Sequence, residues 1–308
     1  MTEKLHILLN AADDKFTFRE ADFTTFCRQH PNIEILVLHS EAALIEALPD
    51  IVWLDTWNFS ASWYARAPNL KGIFTPAAGK EYVAADPNQQ VPVYHGTFHG
   101  ELMAQSALAM VLHFSLNMHH YQEQQQQKVW RRLPARLLSS QSALVVGYGH
   151  IGRQCGQMLA NNGMQVWGHQ RSPQTDQDGS VQLISQQQLD EFLPKADHVI
   201  SFLPGGEETL HFFSEERLGL LAPGAFIYNF GRGTTIDEQA LLAALQNDCI
   251  AGAGLDVTET EPLPGNSALW QHPAVLLMPH ASAYYEEYRQ RHVTELTEIA
   301  NSVISVKS

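Results

Sequence analysis

Residues 145–153 read VVGYGHIGR, and this short stretch restricts the possible fold more than any other part of the chain. Gly147, Gly149 and Gly152 fall in G-x-G-x-x-G spacing, directly after the apolar run SALVVG (142–147) and before a helix-forming segment. The three glycines do different things. The first permits a tight turn, the second lets main chain approach a pyrophosphate, and the third allows close helix–strand packing. The helix N-terminus that follows offers unpaired N–H groups and about half a positive charge to an anion. A turn of this kind can be purely structural, but set between a strand and a helix in a βα series it points to a dinucleotide site.

The series is visible on both sides of the turn. Strands are expected at 5–9, 33–38, 51–55, 70–75 and 91–95, with helices at 18–29 and 41–48. After a long helix from Glu101 to about residue 122, apolar and small all round and so expected at the joint of two bodies, strands resume at 142–147. They continue through MQVWG, VQLIS, HVISFL, AFIYNF, IAGAGLD and AVLLM. The alternation predicts α/β architecture with parallel sheets covered by helices on both faces. A chain of 308 residues is long for one core, so two domains are expected. The segment from Ala283 to Val306 reads as one amphipathic helix returning to the first domain.

The strand MQVWG leads into HQRSP. A dinucleotide fold reading the ribose hydroxyls of NAD ends this strand in Asp or Glu, whereas Gln170, Arg171 and Ser172 stand here. A carboxylate would repel a 2′-phosphate, while a guanidinium can grip phosphate oxygens in bidentate fashion. Arg171, with Ser172 as a neutral donor and Arg153 as a further candidate, therefore favours NADPH, with NADH possible. The alternative is a solvated Arg171.

The formal net charge of −14 and the lack of a basic run argue against a nucleic-acid partner. No apolar stretch approaches membrane-spanning length and no signal-peptide pattern opens the chain, so a cytoplasmic protein is expected. Cys27, Cys155 and Cys249 are scattered and read as buried small hydrophobes. The fifteen histidines, His95, His99, His119 and His120 among them, lack partners at metal-ligand spacing, and no metal site is expected.

Three further stretches lie near expected strand ends: NFGRGTTIDEQALLAAL (229–245), AGAGLDVTETEPLPGNSALWQHP (251–273) and LLMPHASA (276–283). Together with the glycine turn they resemble the D-isomer-specific 2-hydroxyacid dehydrogenases over roughly residues 95–285, with the glyoxylate and hydroxypyruvate reductase A group most similar within that family. The resemblance implies a Rossmann cofactor domain (98–286) inserted in a flavodoxin-like substrate domain (1–97 and 287–308), and a homodimer. It places the catalytic arginine of N-x-x-R-G at Arg232, the glutamate preceding proline at Glu261 rather than Glu259, and the histidine of P-H at His280. It further implies cofactor contacts from His150, Ile151, Leu203, Gly231 and Asp256, the last holding the nicotinamide amide. Main-chain N–H groups near Ala78 and Gly79, in PAAGKEYV (76–83), are implied to meet the substrate carboxylate.

These residue types suit reduction of a 2-oxo acid. Arg232 supplies a permanent cation for the carboxylate and polarised carbonyl, His280 a proton, and Glu261 orients the imidazole. The chain departs from the family at Lys80-Glu81, at Gln105 and in LPGGEET (203–209). Lys80 reads either as an extra anion contact or as a solvated side chain. The expected function is NADPH-preferring reduction of a small 2-oxo acid such as glyoxylate or hydroxypyruvate. The alternatives are a dinucleotide-sensing binding protein on the same fold and a formate-dehydrogenase-like activity, a branch that uses glutamine in place of Glu261.

Overall fold

The computed structural model describes residues 3–304, and the chain divides into two compact units. One comprises the residues up to His99 together with those from Tyr284 onward; the other is Gly100–Ala283.

In the first unit, β1 (Glu3–Leu8), β2 (Ile33–Val37), β3 (Trp53–Thr56), β4 (Gly72–Thr75) and β5 (Val93–His95) form a parallel sheet in the order β2-β1-β3-β4-β5. This is the flavodoxin-like doubly wound order. Leu5, Ile7 and Leu9 alternate along the chain and reach one buried cluster with Phe18, Phe23 and Phe26, as period-2 patterning requires. The expected helix at 18–29 opens as a tight 3-10 turn, Glu20–Phe23, and becomes α1 only at Thr24–Gln29. Ser40 caps α2 (Glu41–Ala47) by accepting from the Ala43 N–H at 3.2 Å.

The second unit begins with α3 (Gly100–Ser115) and α4 (Met118–Gln127). The single helix expected here is broken at Asn117, whose left-handed φ of 58° ends one helix and starts the other. Asparagine tolerates that conformation, and its side-chain N–H donates to the Pro134 carbonyl at 2.9 Å. The sheet then follows: β6 (Ser142–Val146), α5 (His150–Asn161), β7 (Gln165–His169), β8 (Gln177–Asp178), β9 (Val181–Ile184), α6 (Leu189–Phe192), β10 (His198–Ser201), α7 (Glu215–Leu218), β11 (Phe226–Asn229), α8 (Glu238–Gln246), β12 (Gly252–Leu255) and β13 (Val275–Leu277). The strand order β13-β12-β11-β10-β6-β7-β9-β8 reverses direction between β6 and β10, which is the Rossmann arrangement. All pairs are parallel except β8–β9, an antiparallel edge that the sequence pattern does not announce.

Both faces of this sheet are covered. Leu144, Val146 and Ile227 point toward α6, α7 and α8, while Ala143, Val145 and Ile200 pack under α3 and α5 with Ala107, Met110 and Cys155. The all-round apolar surface of α3 thus serves the second unit's core. Of the three cysteines only Cys155 is buried, and burial pushes its thiol pKa up; Cys27 and Cys249 are exposed, contrary to the sequence expectation.

The last helix, α9 (Tyr288–Val303), joins the first unit through Val293, Leu296 and Ala300 at helical spacing. It starts five residues later than expected, because the Tyr284 ring docks edge-on against Phe16 at 5.3 Å before the helical turn begins. The end of the expected segment, from residue 305, lies outside the described residues. His292 of α9 meets Asp55 at 2.8 Å, both fully buried.

Candidate active site

The glycine turn sits where β6 gives way to α5, beside the end of β10, at the point where the sheet order reverses. Ligands of open α/β sheets bind outside such a switch point. Gly147 has φ of +87°, and a Cβ there would lie 2.9 Å from the Phe202 carbonyl carbon. A Cβ on Gly152 would lie 2.4 Å from the Gly147 oxygen, so close packing of α5 requires glycine. Gly149 differs, because a Cβ there would meet nothing within 4 Å. It is the N-cap of α5 and supplies no side-chain cap, so the N–H groups at His150 and Ile151 open the helix toward that space. The cradle fits a dinucleotide pyrophosphate. Tyr148, almost fully buried, fills the gap left by two other glycines, Gly156 and Gly168, and its hydroxyl donates to Asp178 at 3.1 Å.

A cavity of about 630 Å³ extends from this turn. Gly147, Gly149, Gln170, Arg171 and Leu203 line it, as do Glu208 of the LPGGEET loop and His169, Phe212 and Arg217, to which the sequence assigns no role. The Gln170 amide donates to the Tyr148 carbonyl at 2.7 Å. Arg171 is largely exposed and pairs with Glu208 at 2.8 Å, and Ser172 is exposed beside it. Arg153 instead binds Asp178 at 2.6 Å, on the short antiparallel edge, and is committed there. Arg217 lies over the Phe212 ring at 4.2 Å and donates to Asp190 at 3.2 Å. Burial lowers the His169 pKa, so the ring lines the cavity in its neutral form near pH 7.

Arg232 follows β11 in the segment Gly231-Arg232-Gly233, and both glycines are sterically dictated. A Cβ on Gly231 would fall 2.1 Å from the Leu203 carbonyl oxygen, and one on Gly233 1.9 Å from the Thr258 carbonyl. The arginine loop is therefore clamped between the loop after β10 and the loop after β12. Within it, the Thr235 hydroxyl donates to the Arg232 carbonyl at 2.8 Å, and an Arg232 guanidinium N–H donates to the Gly231 carbonyl at 2.9 Å.

Glu261 and His280 meet: a Glu261 carboxylate oxygen lies 2.8 Å from His280 Nδ1. Glu259, two residues earlier, turns away and pairs with His211 Nε2 at 3.1 Å. His280 itself occupies a left-handed conformation, φ 51°, which costs backbone energy in a non-glycine residue. Asp256 holds it there. The His280 N–H donates to the Asp256 carbonyl at 2.7 Å, and the Ala281 and Ser282 N–H groups donate to the Asp256 carboxylate at 2.7 and 3.0 Å. The Ser282 hydroxyl also donates to that carboxylate. Asp256 is 1% exposed, so a residue singled out for the cofactor is also the anchor of the histidine segment. No spacing rule gives that tertiary role.

In the first unit, Ala78 is exposed and Gly79 half-buried in the loop after β4, with Lys80 exposed beside them. Gln105 is exposed on α3. Among the described residues no group of three or more His, Cys, Asp or Glu is placed to hold a metal ion, and no helix is long and apolar enough to cross a membrane.

Comparisons with known proteins agree with this geometry. Residues 108–282 match the family described as D-isomer specific 2-hydroxyacid dehydrogenase, NAD binding domain. Glyoxylate/hydroxypyruvate reductase A of Serratia proteamaculans (strain 568) is 31% identical over 240 residues, covering 74% of this chain and 75% of the relative. The protein of the same name from Salmonella newport (strain SL254) is 30% identical over 243 residues, covering 74% and 77%. A solved D-isomer specific 2-hydroxyacid dehydrogenase from Xanthobacter autotrophicus Py2, in complex with NADPH and MES, superposes with a TM-score of 0.86 at 27% identity over 99% of this chain and 95% of that one. With its Rossmann unit, its glycine cradle and its paired histidine and glutamate, the chain belongs to the D-isomer specific 2-hydroxyacid dehydrogenase family, whose members are NAD(P)-dependent oxidoreductases.

Proposed function

We propose that this protein is an NADPH-preferring reductase of small 2-oxo acids of the glyoxylate and hydroxypyruvate type, with His280 as proton donor. The observation that carries the catalytic part is the 2.8 Å pair between Glu261 and His280 Nδ1. A carboxylate on Nδ1 orients the imidazole and fixes which ring nitrogen faces it, leaving Nε2 to carry the proton for a developing alkoxide. In the reverse direction neutral His280 takes the proton back. Arg232, held rigid by its flanking glycines, supplies a fixed cation and donor fork for the substrate carboxylate and carbonyl oxygen. The N–H groups at Ala78 and Gly79 are our candidates for a second carboxylate contact.

NADPH would supply the hydride. Gly147, Gly149, His150, Ile151 and Gly152 would hold its pyrophosphate, Gln170, Arg171 and Ser172 its phosphorylated ribose, and Leu203, Gly231 and Asp256 its nicotinamide side. The reading draws support from the reductase relatives and from the Xanthobacter protein solved with NADPH. We also infer a homodimer. Trp130 is 98% exposed and Leu137 76%, on one segment of the second unit, and an apolar exposure of this size suits a partner surface.

Replacing His280 by Gln should lower kcat for glyoxylate reduction by about 10²–10⁴-fold while the melting temperature holds. Turnover of the variant within a few-fold of wild type would refute the role of His280.

A further inference from the structure

We infer that Glu208 sets the strength of this site's discrimination between 2′-phosphorylated and unphosphorylated dinucleotides, by competing with the phosphate for Arg171. The inference rests on the reading that Arg171 faces the cofactor's ribose. Glu208 and Arg171 come from different elements, the loop after β10 and the end of β7, and both line the same cavity. Their side chains meet at 2.8 Å with 76% and 73% of their surfaces exposed, so the pair sits at the open mouth of the cavity.

The charges around that mouth are few. Arg217 is the other cation of the lining, and it is spoken for: it stacks on Phe212, donates to the Phe212 carbonyl at 2.9 Å and pairs with Asp190. His169 adds no charge near neutral pH, because burial disfavours its protonated form. Arg171 is therefore the cation most able to turn toward an incoming phosphate, and Glu208 neutralises it. A 2′-phosphate carries about −1.5 to −2 charges at neutral pH, so it must displace the carboxylate and then stand beside it. An unphosphorylated ribose meets no such opposition, and a carboxylate at the mouth can accept from its hydroxyls.

An exposed ion pair contributes little to stability, so a variant at Glu208 should fold normally and act on ligand choice. Loss of the pair alone corresponds to up to about a fivefold change in binding, and removing the like-charge repulsion brings the expected effect to about three- to tenfold.

Calorimetric titration of the full-length protein with 2′,5′-ADP and with 5′-AMP tests this without turnover. Glu208→Gln should tighten 2′,5′-ADP by about three- to tenfold and change 5′-AMP by less than about twofold, whereas Glu208→Asp, which keeps the charge, should stay near wild type. In an Arg171→Ala background the Glu208→Gln gain should shrink to the part that comes from like-charge repulsion, about twofold or less. The same substitution should raise the ratio of kcat/KM for NADPH over NADH by a similar factor. Equal tightening of both nucleotides, weaker binding of 2′,5′-ADP, or a gain of undiminished size without Arg171 would overturn the role of Glu208 alone. Unchanged 2′,5′-ADP binding in Arg171→Ala itself would overturn the Arg171 reading and this inference with it.

Discussion

At the scale of single residues, buried histidines connect the sheet of the second unit to pH. His198 lies in β10, hydrogen-bonded to the Tyr228 hydroxyl and to Gln141, both at 2.9 Å. Burial pushes its pKa down to about 4, below the ordinary histidine value of 6.5. The unfolded chain therefore binds a proton that the folded chain refuses. Stability from this group is fully present above about pH 6.5 and is lost as the pH falls toward 4, on the order of 3 kcal/mol over that window. Denaturant titration at pH 7 and pH 5 should show the loss, and His198→Gln should flatten the slope even while lowering stability overall; an unchanged slope would contradict the assignment. The residues proposed to carry the chemistry were legible only jointly, because Arg between two glycines, Glu before Pro and His after Pro each have an ordinary structural reading, and it is their order after the glycine turn that marks them. Asp256 was legible only in part: its carboxylate binds the main chain of residues 25 and 26 positions further on, a contact that no spacing in sequence reveals. Glu208 was visible only as part of the departing loop LPGGEET, and its pairing was not legible, because its partner is 37 residues away, just past the end of β7.

At the scale of elements, the glycine turn divides into positions of opposite character. Gly149→Ala places a methyl in open space, so the protein should melt like wild type yet bind NADP⁺ more weakly by at least about tenfold, since the methyl stands where a phosphate must approach. Gly152→Ala forces a carbon to 2.4 Å from the Gly147 carbonyl and should destabilise the fold itself by about 1–3 kcal/mol. Thermal melts together with nucleotide titrations separate the two; equal destabilisation by both variants would contradict the assignment of their roles. Most strand positions were legible as short apolar runs bounded by turn residues, β8 excepted, and parallel pairing follows from the intervening helices. Helix ends were less so. The break at Asn117 depends on a side-chain bond to Pro134, and the late start of α9 on the docking of Tyr284 against Phe16. Both are tertiary effects that override local helix preference.

At the scale of the whole molecule, the parallel pairing of both sheets, the β8 edge apart, follows from the βα alternation, and the family membership follows from motifs spread over both the glycine turn and the later strand ends. Assembly is a separate matter. The exposed Trp130 and Leu137 should lie in a homodimer interface, so the double variant Trp130→Glu, Leu137→Glu should sediment as a monomer of 34.4 kDa where wild type sediments at twice that mass. A wild-type monomer would remove the dimer proposal and leave the catalytic reading standing. The central claim is that an arginine in place of the strand-end carboxylate, joined to a histidine–glutamate pair, makes this chain an NADPH-dependent 2-oxo acid reductase. The most direct measurement is kcat/KM for glyoxylate and hydroxypyruvate with NADPH and with NADH, in wild type and in Arg171→Ala. We expect turnover with at least one of these acids, a preference for NADPH, and loss of that preference by about 10- to 100-fold without Arg171, as befits a charged hydrogen-bond pair. Failure to reduce either acid, or a preference for NADH that ignores Arg171, would contradict it.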